Sequence, residues 1–399
     1  MASKENLIAI VNAGSATLKF SLLGAGDAVL RVLIERLGET DGARPRAIIK
    51  DSSGVVGFDG PIPARNHEDG LAWLFDWIGQ ERPDLRLAAV GHRVVHGGDS
   101  LQRPVLVTPE VTDLIESLVH LAPLHQPHNL SPIRFIAHQL PELPQVACFD
   151  TAFHASQSKI ERIFALPRWW SDRGIKRYGF HGLSYEYIAS RLPEIDPCAA
   201  DGRTIVCHLG NGASLCGLRS GRSVATTMAF TALEGLPMGT RCGSIDPGVL
   251  LYLLDQENMS TGELSDLLYK RSGLLGISGI SSDMRDLLAD PGEEAAEAVE
   301  YFCYRIARDI GSLVAALGGL DALVFTGGIG EHATPVRARV CELSQWLGIA
   351  IDPVANADDL TILHTADSAI KVLIVPTNEE RMMAKHVAQV LAMDEWFHL

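Results

Sequence analysis

Apolar residues 7–11 run into the small polar turn NAGSAT and out again through a second apolar run, 17–23, a pattern that predicts two strands paired around a glycine turn. More β-like pieces follow to about residue 60. Within 68–80, Leu71, Leu74, Phe75 and Ile78 recur at helical spacing and predict a helix. Residues 85–95 read as a buried strand that leads into GHRVVHGG. Residues 109–120 read as a helix, which the prolines of APLHQPHNLSP then break. A short strand over 146–149 ends in DTAFH. Near residue 204 the opening pattern returns, because TIVCHLGNGASLCGL is again an apolar strand, a Gly/Asn/Ser turn and a second strand. Aligning Thr17 and Leu18 with Ser214 and Leu215 superimposes the two hairpins about half a chain apart, which predicts an internal duplication. Residues 301–317 form an amphipathic helix with Phe302, Ile306, Ile310, Leu313 and Leu317 on one face. Gly318 and Gly319 end it, and a strand over 320–326 runs into GGIGE. Strands alternating with helices, with glycine turns at the strand ends, indicate an α/β fold in which ligands sit at those ends.

A chain of 399 residues is long enough for two or three domains. Its composition, 47% hydrophobic and 21% charged, is that of an ordinary globular protein. The net charge of −15, from 49 acidic and 34 basic residues, disfavours nucleic acid and anionic lipid as partners. An anionic substrate would need a local positive island. The cysteines number seven, an odd count, and are scattered without a C-x-x-C. They argue against a disulfide framework or zinc cluster and for a reducing cytoplasm. Lys4 and Glu5 precede only five apolar residues, too few for a signal-peptide core. No apolar run approaches the roughly 20 residues of a membrane span, so no membrane partner is expected.

The chemistry lies in the turns. Glycine lets backbone N–H groups approach an anion and form a nest of partial positive charge. NAGSAT, HLGNGAS and TGGIGE are such turns, and no Walker A pattern is present. Lys19 lies two residues past Thr17, on the same strand face, and a cation beside a nest suits phosphate. Arg93 in GHRVVHGG, Arg241 between Gly239 and Gly243, and Asp283 with Arg285 in SSDMRDL sit in short segments shaped by glycine or serine. An arginine fork matches phosphate and carboxylate oxygens. Asp150 ends a strand and is read either as an active-site carboxylate or as a hydrogen-bonded core group. Glu379 and Glu380 follow the apolar run 371–375; they suit Mg²⁺, a helix N-terminus, or both. The histidine pairs 92/96, 125/128 and 154/181 suit buried hydrogen bonding and one or two catalytic roles better than a metal site, since no H-E-x-x-H or H-x-H occurs.

Taken in order, NAGSATLK, GHRVVHGG, APLHQPHN, FDTAFH, YGFHG, HLGNGAS, MGTRCGSIDPG, SSDMRD, FTGGIGE and PTNEE resemble the acetokinase family over nearly the whole length. That family belongs to the superfamily of acetate and sugar kinases, chaperone ATPases and actin. The resemblance implies an α/β fold of two duplicated actin-like (ribonuclease H-like) domains with a nucleotide cleft between them, expected at 1–149 plus 383–399 and at 150–382. It implies hinge motion and a homodimer. It also implies reversible in-line transfer of the γ-phosphoryl group of ATP to acetate, giving acetyl phosphate, with Mg²⁺ or Mn²⁺.

Carried over to matching positions, Asn12 and Glu379 are expected at the metal and Lys19 at the phosphates. Arg93 and Arg241 would hold the acetate carboxylate and the transferring phosphoryl group, with Asp150 and His181 beside the reaction centre. Val95, Leu124 and Phe180 would form the pocket for the acetate methyl. His208, Leu209, Gly210, Asn211 and Gly212 would bind the nucleotide, as would Asp283, Met284 and Arg285 and the run Gly328, Ile329, Gly330, Glu331 and His332.

Several positions depart from the family pattern. Ser15, Ala16 and Thr17 stand where three serines are usual, Gln126 and His128 where Asn and Pro are common. Cys242 and Ser244 replace Ser and Asp, His332 replaces Asn, and Ala232 replaces a proline of the methyl pocket. The smaller Ala232 gives the expectation that propionate is used better than by a typical member. A propionate or butyrate kinase, an enzyme using another phosphate donor, an actin-like or chaperone-like ATPase and a metal-dependent hydrolase are the competing readings. Arg93, His181 and Arg241 speak against the ATPase, whose acceptor is only water.

Overall fold

The computed structural model describes residues 6–25, 28–38 and 44–393. Lys4, Glu5 and the last six residues of the expected first domain lie outside the described residues. The chain divides into two compact units, Met1–Ala152 with Asn378–Leu399, and Phe153–Thr377. The resemblance had placed the divisions at 149/150 and 382/383. Asp150 and Glu379 accordingly lie in the first unit.

The first unit holds an eight-stranded sheet. Its strands are β1 (Asn6–Ala13), β2 (Thr17–Leu23), β3 (Ala28–Glu35), β4 (Arg46–Asp51), β5 (Val56–Pro61), β6 (Arg86–Val94), β7 (Val105–Leu106) and β8 (Gln145–Phe149), in the order β5-β4-β3-β2-β1-β6-β8-β7. β1 to β5 form an antiparallel meander, while β6 and β8 run parallel to β1. Alternate residues of β1 explain its burial on both faces. Leu7, Ala9 and Val11 pack with Leu71, Leu74 and Ile78 of helix α1 (His67–Glu81). That helix starts where the Asn66 side chain accepts from Asp69 N.

The helix expected over 109–120 spans Pro109–Ser117 and ends as expected before the proline-rich stretch, within which a new helix, α2 (Gln126–Gln139), begins. The chain breaks at 122–125, but Pro127 occupies the first helical turn, where no N–H is needed, and Pro132 is accommodated inside.

The second unit, after short helical turns, has α3 (Gly182–Ile195) and repeats the plan in five strands: β9 (Arg203–Leu209), β10 (Ala213–Arg219), β11 (Arg222–Thr226), β12 (Ala322–Thr326) and β13 (Lys371–Ile374), in the order β11-β10-β9-β12-β13. Again three antiparallel strands are followed by two parallel ones, matching β3-β2-β1-β6-β8 strand for strand. One face packs Tyr185, Ile188 and Leu192 of α3 on Val206, Leu218 and Val324. After the short α4 (Met284–Ala289), the other face takes α5 (Glu293–Leu317), longer than the expected 301–317 and ended by Gly318 in the left-handed region. Two helices follow β12 directly, α6 (Gly327–His332) and α7 (Thr334–Leu343). The last, α8 (Glu379–Leu391), returns to the first unit and packs on β1, β6 and β8. Among the described residues no helix is long and apolar enough to cross a membrane.

Candidate functional site

The hairpin β1–β2 sets the first cluster. Asn12 and Lys19 are register partners, so their side chains share one face of the pair. The turn between them is held from below: His67 Nε2 meets Gly14 O at 2.7 Å, and Asn129 Nδ2 donates to Ala13 O at 2.9 Å. Asn129 Oδ1 also accepts from Val95 N at 3.0 Å, which ties the loop to the end of β6.

Arg93, near the end of β6, is gripped by two carboxylates. Asp150 accepts from Arg93 Nε and Nη2 at 3.0 and 2.8 Å, and Glu379, the first residue of α8, lies 3.0 Å from Nη1. Burial alone would lower the Arg93 pKa, but Asp150 and Glu379 outweigh it and raise it, so the guanidinium stays charged. Leu124 is 42% exposed in the turn before α2. The first unit thus brings Arg93, Asp150 and Glu379 into one contact network, with Asn12 and Lys19 on the neighbouring hairpin.

The second cluster forms around the β9–β10 turn. His181 caps α3 with φ 57, a conformation rare for a residue with a side chain. Its Nδ1 lies 2.8 Å from Ser214 Oγ, and its ring stacks on His208 at 4.3 Å. His208 Nδ1 bonds Ser184 Oγ, which reaches Thr377 Oγ1. Gly212 has no side chain for a reason: a Cβ there would stand 3.3 Å from His181 Nε2 and 3.8 Å from Arg241 Nη1. Arg241 Nη1 donates to Ala232 O at 3.0 Å. Ala232, the position that departs from proline, therefore shapes the arginine's seat through its carbonyl. Phe180 is buried, and its carbonyl meets His154 Nε2 at 2.9 Å.

Beside this lies a cavity of about 530 Å³, lined among others by Gly210, Asn211, Asp283, Met284, Arg285 and Gly328, with Ile329 and His332 on its wall. That volume suits a nucleoside. Asp283 is held low, to about 2, by the Arg285 side chain and then by the Arg285 N–H, so the pair stays ionised. Leu209 is fully buried in the core. Glu331 Oε1 accepts from Gly327 N and Thr377 N at 2.8 and 3.1 Å and so braces the turn.

Several supporting residues have roles that the sequence pattern does not assign. Arg337 on α7 is fully buried; it donates to Gly330 O and Glu331 O, to Asn356, and to Asp359, which also faces His332. It holds the carbonyl end of α6, where a cation is favoured. Asn129, Ser214 and Tyr185 support the clusters likewise. Asn129 lies inside a quoted motif, but its partners are remote in sequence. Of the paired histidines, His92 and His154 are buried and hydrogen-bonded to Gln145 and to Ser223 and Phe180. Among the described residues no group of three His, Cys, Asp or Glu is placed to hold a metal ion.

Comparison with known proteins finds relatives along almost the whole chain. The model of the acetokinase family matches residues 7–385. An acetate kinase of Rhodopseudomonas palustris is 52% identical over 389 residues, covering 96% of this chain and 98% of that protein. One of Rhizobium meliloti is 47% identical over 390 residues, covering 96% and 98%. Among solved structures, Porphyromonas gingivalis acetate kinase is 34% identical with a TM-score of 0.88, covering 97% of this chain and 100% of that one. A propionate kinase from Francisella tularensis is also 34% identical, with a TM-score of 0.89 and coverage of 96% and 98%. With the duplicated sheets, the glycine turns and a match along almost the entire length, this chain belongs to the acetokinase family.

Proposed function

We propose that this chain transfers the γ-phosphoryl group of ATP reversibly to acetate, giving acetyl phosphate and ADP. The observation that carries the reading is the seat of Arg241, set over Gly212 beside His181 and next to a nucleoside-sized cavity. The curated acetate kinases at 52% and 47% identity over nearly the whole chain favour acetate as the acceptor.

The transferring group spreads negative charge over its equatorial oxygens in a loose, roughly in-line transition state. Fixed donors that meet this charge lower the barrier. Arg241 and His181 take that role in the second unit, while Gly210, Asn211, Asp283, Met284, Arg285, Gly328, Ile329 and His332 hold the nucleotide. In the first unit Arg93 holds the acetate carboxylate, Lys19 meets phosphate, and Val95 and Leu124 border the methyl group, with Phe180 its counterpart in the second. Acetate is already a carboxylate, so no strong base is needed. Asp150 orients Arg93 with both of its oxygens and is not a proton acceptor.

Mg²⁺, or Mn²⁺ in its place, fits the oxygen donors near Arg93: two carboxylates on one guanidinium leave a net negative charge that suits a hard cation. Asn12 and Glu379 would hold it, and it would offset phosphate charge. A cytoplasmic homodimer completes the proposal, and seven free cysteines support the reducing compartment.

Purified protein given ATP, Mg²⁺, acetate and hydroxylamine tests this. Acetyl hydroxamate should accumulate in proportion to ADP. Release of ADP with inorganic phosphate and no hydroxamate would replace this reading with the ATPase.

A further inference from the structure

His181, Ser214 and Tyr185 form a chain of hydrogen bonds that runs from the site into the core of the second unit. Ser214 and Tyr185 are both 0% exposed. The Tyr185 hydroxyl lies 2.5 Å from Ser214 Oγ, and that oxygen lies 2.8 Å from His181 Nδ1. Distances alone leave the proton directions open, but donor counting fixes them. A buried hydroxyl is almost always satisfied, and leaving its proton without an acceptor costs free energy. For Tyr185 the acceptor within reach is Ser214 Oγ. Burial pushes the phenol well above its ordinary pKa, so the proton is present to be donated. Ser214 accepts that bond and has one proton of its own, and its remaining neighbour is His181 Nδ1. A ring nitrogen that accepts carries a lone pair, so the proton of the neutral imidazole sits on Nε2. Nε2 is the atom that borders the space left by Gly212, together with Arg241 Nη1.

We infer that Tyr185 and Ser214 are positioning residues that hold His181 in its Nε2–H form, so that it offers a neutral donor beside Arg241 to the oxygens of the transferring phosphoryl group. The nature of that oxyanion rests on the phosphoryl-transfer reading above; the tautomer does not. The positive φ of His181 agrees with this role, since backbone strain is kept where it aims a ring. Fixing a tautomer through a buried partner is how an orienting group supports a catalytic histidine in general.

The test is nitrogen NMR on the full chain labelled with ¹⁵N-histidine, together with steady-state kinetics. In the wild type at neutral pH, His181 Nδ1 should resonate as an unprotonated nitrogen and Nε2 as a protonated one. Ser214→Ala removes the donor to Nδ1, and Tyr185→Phe removes the bond that orients Ser214. Each should mix the two tautomers and lower kcat by roughly ten- to a thousandfold, on the scale of losing one oxyanion donor. KM for ATP should change little, which separates positioning from loss of fold. Should Tyr185→Phe not fold, Ser214→Ala alone carries the test. A wild-type His181 protonated at Nδ1 would overturn the inference, and so would a Ser214→Ala variant that keeps both tautomer and kcat. Failure of the wild type to form acyl phosphate would overturn the phosphoryl-transfer reading instead, because the tautomer is observed without turnover.

Discussion

Arg241 donates to the Ala232 carbonyl and lies against Met238 Sδ, an arrangement that fixes the guanidinium before any substrate arrives. Pre-placed donors are what charge stabilisation needs, because they do not reorganise during reaction. Arg241→Ala should therefore lower kcat on the order of 10²–10³. Near-normal turnover in that variant would remove Arg241 from the mechanism. The buried histidines make a second claim at this scale. Burial pushes His92, His96 and His154 down to about 4. In the unfolded chain they titrate near 6.5, so between these values the unfolded state binds more protons. Their contribution is complete above about pH 6.5 and is lost as the pH falls toward 4, up to about 3 kcal/mol for each. Denaturant titrations near pH 7 and pH 5 check this: the midpoint should drop at the lower pH, and an unchanged midpoint contradicts it. What the sequence revealed among residues was local. Lys19 could be placed beside the turn by strand alternation, and the structure pairs it with Asn12. Ser214, Tyr185, Asn129 and Arg337 were not legible, since each works through a partner brought close only by the fold.

The elements around the cavity owe their shape to backbone as much as to side chains. Gly327, the first residue of α6, has φ 76, and a Cβ there would stand 2.7 Å from Leu209 O. Both facts forbid a side chain. The turn from β12 into α6 stays close to β9 only because this residue is glycine. Gly327→Ala should cost at least about 1–2 kcal/mol for the left-handed conformation alone, and it should displace α6 and weaken nucleotide binding. Calorimetric titration with ATP and denaturant unfolding of the variant measure the two effects, and unchanged values for both contradict the account. Most strands and helices were legible from periodicity because each buries one stripe or face, as β1 and α1 do. The proline-rich stretch before Leu130 does break the preceding helix, but nothing in the sequence pattern signals that a new helix starts inside it. Pro127 sits at a position where proline is favoured, and buried Gln126, whose Nε2 donates to His96 O at 2.9 Å, anchors the helix start.

Across the whole molecule, two copies of one strand order carry two different sets of groups. Each unit keeps three antiparallel strands followed by two parallel ones and carries a glycine turn in its first hairpin. This is the duplicated actin-like fold of the acetokinase relatives. The repeat was visible in the sequence through two hairpins, and the full correspondence was not, because β4, β5 and β7 are added to the first sheet and long helical segments to the second unit. Against a net charge of −15 on the chain, the proposed function assigns Lys19, Arg93 and Arg241 to anionic substrates. The central claim is that the γ-phosphoryl group of ATP ends on an acetate oxygen. It is tested by giving the purified protein ATP, Mg²⁺ and acetate labelled with ¹⁸O in both carboxyl oxygens, and weighing the products. The account predicts ADP and acetyl phosphate that retains both heavy oxygens, one of them as the bridge to phosphorus. Inorganic phosphate and unchanged acetate as the only products besides ADP would contradict it.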